Sequence, residues 1–381
     1  MKQSKFTRYY FVWFLCNWLC ASCIQHVGAD ALIPEPGNPP TGTPLILMHG
    51  WMSNSKRWDK VVRVFRNDGS YRETFAKYRI FRFDYDFTQA IETSGINFFL
   101  QVKAKLAPDE KFVIVAHSMG GLVARSALEN FTGTTPHLHE RLIQLITLAT
   151  PHHGSPIANL AWLKNDSKID HADPVLFLLR ENIFFKNLNT DGGSEMGWDN
   201  SDGGMPEKVW QGYRGRIFTI PPASRFTQLL NQHPHLTEPE KTSLTARYTV
   251  VGSYHETLPD WQIKKLISEI KGSYQVDTVE STRLLAIRVV LGRYFQNGGE
   301  WVKTYTANDG VVPLSSALFI NDAEKISQLS SEKVNVGGDE DLGHLSRAHA
   351  VKVFANIEHA QLPDSPQVWE FIASQLKAIK D

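Results

Sequence analysis

"KFVIVAHSMGGLVARSALEN" (Lys111–Asn130) is an apolar run that leads into a serine at position 118 and then at once into a helical pattern. A serine at a tight strand-to-helix turn projects its hydroxyl above the carboxyl edge of a sheet. The turn strains the serine backbone and crowds its surroundings, so small residues are needed two before it and two after. Ala116 and Gly120 meet that need, with Ala a mild departure from the usual Gly. A helix starting at Met119 aims its first N–H groups and positive dipole end at the serine, which suits a developing oxyanion. A plain strand–turn–helix with a chance serine is the bland alternative.

Outward from this stretch, strand and helix alternate. "LILMHG" (45–50), "YRIFRFDYDF" (78–87), "KFVIVA" (111–116), "RLIQLITLATPHHGS" (141–155), "ARYTVVGSY" (246–254) and "AVKVFAN" (350–356) read as strands. They are apolar without period-two alternation, which predicts a mostly parallel sheet covered by helices on both faces. Helical spacing falls in 55–69, closed by Gly69, in 94–108 and in 281–295. Between about 156 and 244 the rhythm breaks, and an inserted cap is expected there. It contains the apolar stretch 173–189, readable as a lid or a buried cap helix, and a Gly- and Asp-rich loop over 190–206.

"AHSMGG", "LMHGW", "TLATPHHGSP" and "NDGVVPLSSA" together resemble the α/β hydrolases, and most of all secreted bacterial lipases and esterases of the triacylglycerol lipase type. The resemblance covers 44–156 and 247–380. It implies a serine carboxylic-ester hydrolase acting on lipid esters through an acyl-enzyme, with no cofactor or metal. In this fold the order is serine, then acid, then histidine. Asp309, in a Gly-containing turn before "VVPLSSA", is the expected acid. His359, between the last strand and the last helix, is the expected base; "EHAQLPDSPQVWEFI" is similar to the histidine segment of small bacterial lipases. His344 is the alternative base and His349 a third. The resemblance assigns the oxyanion hole to the main-chain N–H groups of Trp51 and Met119. The alternative it implies is a phospholipase or acyltransferase with the same triad, since "NDGVVPLSS" is similar to lecithin–cholesterol acyltransferase relatives. A non-catalytic binding protein on the same fold is the remaining alternative.

Other motifs are weaker. His152 and His153 are adjacent, so their side chains diverge, and no Cys or carboxylate completes a metal set; the resemblance makes His152 a structural loop residue. Asp191, Glu195, Asp199 and Asp202 lack the spacing of a known calcium loop. Asp84 and Asp86 precede the serine in the chain and suit capping or ion pairing.

The 381 residues carry 40 Lys plus Arg against 40 Asp plus Glu, and no basic run points to nucleic acid. Lys2, Lys5 and Arg8 precede an apolar stretch at 11–24, too short for an ordinary membrane span, and "VGAD" follows. Residues 1–29 therefore read as an export signal cleaved after Ala29, with an uncleaved anchor as the alternative. The expected protein is periplasmic or secreted. All three cysteines lie in this segment, so the cleaved chain would hold no disulfide and no thiol. Residues 30–43 read as an extended lead-in and 44–381 as the hydrolase domain. Its expected partner is a lipid or other ester substrate at a lipid–water interface; oligomeric state is not legible.

Overall fold

The computed structural model describes residues 30–130, 137–155, 157–158, 187, 190–197, 209–211, 217–219, 226–254, 296–297, 300–301, 308–320 and 342–379. The signal segment, most of the apolar stretch 173–189 and the helical pattern at 281–295 lie outside these residues.

Seven strands form one sheet: β1 (Ala31–Pro34), β2 (Thr43–Met48), β3 (Tyr78–Asp84), β4 (Phe112–His117), β5 (Leu142–Leu148), β6 (Tyr248–Tyr254) and β7 (Ala350–Ala355). Their spatial order is β1-β3-β2-β4-β5-β6-β7. Every pairing is parallel except β1 with β3, where Leu32 lies opposite Phe83. This is the α/β-hydrolase architecture expected from the apolar strands. The lead-in is not outside the domain. Leu32 is buried and Ala31–Pro34 close the sheet edge.

Both faces of the sheet are covered, which is why the strands do not alternate in polarity. Ile46 and Met48 of β2 face one core with Phe83, Phe98, Ile114 and Leu122. Leu45 and Leu47 face the other with Trp58, Phe65, Val113, Val115 and Trp369. Each such side chain contributes about 1.5–3 kcal/mol on full burial.

Helices α1 (Asp59–Asn67), α2 (Gly69–Phe75), α3 (Ile91–Lys105), α4 (Met119–Asn130) and α9 (Pro366–Ala378) supply the two layers. Gly69 does not close a helix, as expected from the sequence, but opens α2. The Asp68 side chain accepts the Ser70 N–H and so caps the new helix. In the inserted region α5 (Asp191–Glu195) replaces the start of the expected loop. The Thr190 hydroxyl caps it by accepting the Gly193 N–H. Helices α6 (Phe226–Gln232) and α7 (Glu238–Thr245) lead back to β6, and α8 (Leu314–Ala317) precedes the last strand. Glu300–Trp301 pairs with Gln296–Asn297 as a separate two-stranded piece rather than with the main sheet. None of the described helices is long and apolar enough to cross a membrane.

Candidate active site

Ser118 sits between β4 and α4 with φ +54°. A non-glycine residue there costs on the order of 1–3 kcal/mol and persists only where its surroundings over-determine it. Here they do. The Ser118 N–H donates to Leu148 O at 2.8 Å, and its carbonyl accepts from the Gly121 N–H at 3.0 Å and the Thr150 hydroxyl at 2.9 Å. The small neighbours have physical reasons. A β-carbon on Gly120 would collide with the His49 carbonyl oxygen, and one on Gly121 with the Thr150 hydroxyl.

Three buried side chains then form a chain of hydrogen bonds. The Ser118 hydroxyl lies 2.9 Å from His359 Nε2, and His359 Nδ1 donates to Asp309 Oδ2 at 2.7 Å. Ser118, His359 and Asp309 are 6%, 8% and 1% exposed. The second Asp309 oxygen, Oδ1, accepts from the N–H groups of Val311 at 2.9 Å and Val312 at 2.7 Å. The turn is itself held, because the Ser155 hydroxyl donates to Val311 O at 2.6 Å. The His359 N–H donates to Asp309 O at 3.0 Å, which ties the two loops together. His359 begins a short helical turn, His359–Asp364, after β7, and Arg57 bonds Ala360 O and the Asp364 carboxylate.

Topology explains why His359 reaches Ser118. In parallel strands both β4 and β7 deliver their C-terminal ends to one edge of the sheet. His344 and His349 precede β7 and are exposed. A six-residue strand is about 20 Å long, so they sit toward the opposite edge. The His349 N–H is engaged there with the carbonyls of Thr245 and Tyr248.

The loop after β2 lies against the serine. A β-carbon on Gly50 would stand 2.8 Å from that of Ser118. His49, fully buried, shapes this loop. Its Nδ1–H donates to Gly50 O at 2.9 Å, its Nε2 accepts the Tyr85 N–H at 3.2 Å, and its ring stacks on Tyr85 at 4.1 Å. The Tyr85 hydroxyl donates to His49 O at 2.8 Å. The carbonyls of residues 49 and 50 are thus both turned onto protein donors. Trp51 follows, edge-on to Phe87 at 6.5 Å, and Met119, the residue after Ser118, is buried. Asp84 fills the capping and pairing role read from the sequence: it accepts the Ser55 N–H at 2.8 Å and lies 3.3 Å from His49 Nε2. Burial raises its pKa, but the proximity of His49 and the bond from Ser55 together bring it below the ordinary value.

A polar network beneath α4 has no counterpart in the motif reading. Arg125 and Glu129, both fully buried, pair one turn apart at 2.8 Å. Glu129 Oε1 also accepts the Tyr248 hydroxyl at 2.7 Å, and His233 Nδ1 lies 2.8 Å from Oε2. Arg125 further bonds Asn231 Oδ1 at 3.1 Å and His152 Nδ1 at 3.3 Å. Burial opposes the Glu129 charge, yet Arg125 and His233 bring its pKa down to about 2. Burial, with Arg125 and His153 beside it, holds His152 neutral. Its Nε2–H donates to Thr147 Oγ1 at 3.1 Å, which fits the structural role expected of it. One signal for the network was available: α4 is small or apolar all round, so charges at i and i+4 on it must be buried and paired.

Glu195, considered for calcium, instead caps α3 by accepting the Ile91 N–H at 2.6 Å. Asp199 and Asp202 lie outside the described residues. No group of three His, Cys, Asp or Glu able to hold a metal occurs among the described residues.

Comparison with known proteins agrees with the fold. A family model described as a PGAP1-like alpha/beta domain matches residues 39–165, which span β2 to β5 and Ser118. No curated protein matches the chain. Among solved structures, the mature lipase BlEst2 of Bacillus licheniformis is 14% identical, with TM-score 0.47, over 90% of this chain and 95% of its own. EstA of Clostridium botulinum is 13% identical, with TM-score 0.46, over 93% and 91%. Carboxylesterase CesB of Bacillus subtilis is 9% identical, with TM-score 0.36, over 97% and 96%. The sheet order and the family model, not these distant likenesses, carry the relationship to the α/β-hydrolase superfamily.

Proposed function

We propose that the protein is a serine hydrolase of carboxylic esters, with lipid esters as its substrate class. The observation that carries this reading is the Ser118–His359–Asp309 chain, with bonds of 2.9 and 2.7 Å and the serine in a strained elbow. His359 Nε2 takes the Ser118 proton as Oγ attacks the ester carbonyl. Asp309 keeps the other proton on Nδ1 and stabilises the imidazolium. The N–H groups of Met119 and Trp51 receive the oxyanion; losing one such donor costs about 10²–10³-fold in rate. His359 then protonates the leaving alcohol, and water, activated by the same imidazole, releases the acid and frees Ser118. The preference for lipid rests on the apolar stretch 173–189 that follows the post-β5 loop in the chain. Export through residues 1–29 belongs to the same proposal.

The test compares residues 30–381 with their Ser118→Ala variant on p-nitrophenyl esters from acetate to palmitate. Activity abolished by the substitution supports the reading, and a long-chain optimum supports lipid. Folded wild-type protein inert on every ester refutes hydrolysis and favours acyl transfer or binding. Equal activity in both proteins removes Ser118 as nucleophile.

A further inference from the structure

A second buried histidine adjoins the serine, and the mechanism above does not use it. His117 ends β4, where the strand points Val113 and Val115 into the core beneath α1 and α9. Its ring shares that side and lies 4.9 Å from the His359 ring. Its Nε2 is 3.0 Å from the His359 main-chain carbonyl oxygen. A carbonyl only accepts, so Nε2 carries the proton. The other nitrogen, Nδ1, is buried with no hydrogen-bond partner. It faces Gly50, where a β-carbon would come within 3.0 Å of it. His117 is therefore a neutral imidazole with one N–H, and that N–H is spent on the backbone of His359.

We infer that His117 is a positioning residue for His359, setting the direction in which its imidazole leaves the main chain. The inference rests on the proposed roles of Ser118, His359 and Asp309. The peptide groups on the two sides of the His359 α-carbon are both clamped: its N–H by Asp309 O at 3.0 Å and its carbonyl by His117. With both fixed, the ring has one way to meet Asp309 Oδ2 and Ser118 Oγ together. Neutrality matters too. A cation at His117 would oppose the charging of His359 when it takes the serine proton. Burial first, then the nearby His359 and Arg57, hold the His117 pKa well below its ordinary value.

Two substitutions separate donor from shape. His117→Phe fills the space and leaves the carbonyl without its donor; His117→Gln returns an N–H at similar reach. A misplacement of about 1 Å at a reacting group costs roughly 10²-fold. The Phe variant is expected to lose about 30–100-fold in kcat with KM unchanged, and the Gln variant to stay within about fivefold of wild type. The low-field proton resonance of the His359–Asp309 bond should persist in wild type and Gln and broaden or vanish in Phe. If Phe does not fold, His117→Asn, polar but too short to reach, takes its place. Wild-type kcat and resonance in the Phe or Asn variant would overturn the inference, as would equal losses in Phe and Gln. The resonance needs no turnover, so it judges His117 even if Ser118→Ala refutes the hydrolase reading.

Discussion

Replacing Asp309 by Asn gives the sharpest test of how the site works, because the surrounding backbone dictates which way the new amide must face. Asp309 Oδ1 accepts two main-chain N–H groups, from Val311 and Val312. An amide nitrogen there would set donor against two donors. The Asn oxygen must therefore take the Oδ1 position, and its NH₂ must take the Oδ2 position facing His359 Nδ1. The imidazole then presents a lone pair at Nδ1 and carries its proton on Nε2. That proton points at Ser118 Oγ, 2.9 Å away, and the base can no longer accept. Loss of the correct tautomer in comparable triads lowers kcat by about 10⁴, or about 5 kcal/mol of barrier. The fold should be nearly untouched, since volume and the turn bonds are kept. The assay is kcat on a p-nitrophenyl ester at neutral pH, with circular dichroism and thermal melting as controls. An Asn variant within tenfold of wild type, and folded, would refute the tautomer argument.

Other consequences follow from single contacts. Gly120→Ala should abolish measurable esterase activity, because its β-carbon would displace the His49 carbonyl and with it the loop carrying Trp51; wild-type rates would show that the loop can yield. Glu129 is ionised with a pKa lowered from 4.5 to about 2, so the stability it contributes is present above pH 4.5 and lost as pH falls toward 2. Urea unfolding of wild type and Glu129→Gln across pH 2–6 should show this slope in wild type alone. Burial raises the Glu195 pKa from 4.5 to about 6, so the folded state loses stability as pH rises through 6. Glu195→Gln keeps an acceptor for Ile91 N–H, and should stabilise the protein at pH 8 by about 1 kcal/mol or less once solvent screening is counted; a lower melting temperature there would contradict this.

The sheet was legible because strands buried on both faces are apolar throughout, as in "LILM" and "FVIVA". The serine elbow was legible because steric crowding around Ser118 demands small residues at 116 and 120, and a β-carbon at 120 would meet the His49 carbonyl. The lead-in strand was not: Pro34 and the following Pro- and Gly-rich residues look like loop, and only the partner β3 makes Ala31–Pro34 a strand. Gly69 misled because a glycine can follow one helix or start the next, and the Asp68 cap decides. His359 was legible as following the last strand and His344 as preceding it, and the fold brings His359 Nε2 to 2.9 Å from the Ser118 hydroxyl. The bond from His117 to the His359 carbonyl spans 242 positions, and no local pattern encodes it.

That long spacing has a consequence in time. Ser118 and His359 are 241 positions apart. A ribosome adding about 5–20 residues per second needs roughly 12–48 seconds to travel from one to the other. Through that interval the nascent chain carries the serine with no base to activate it. On the proposed mechanism the growing protein is inert toward the esters of the cell that makes it, and it gains its reactivity only when the last strand closes the far edge of the sheet.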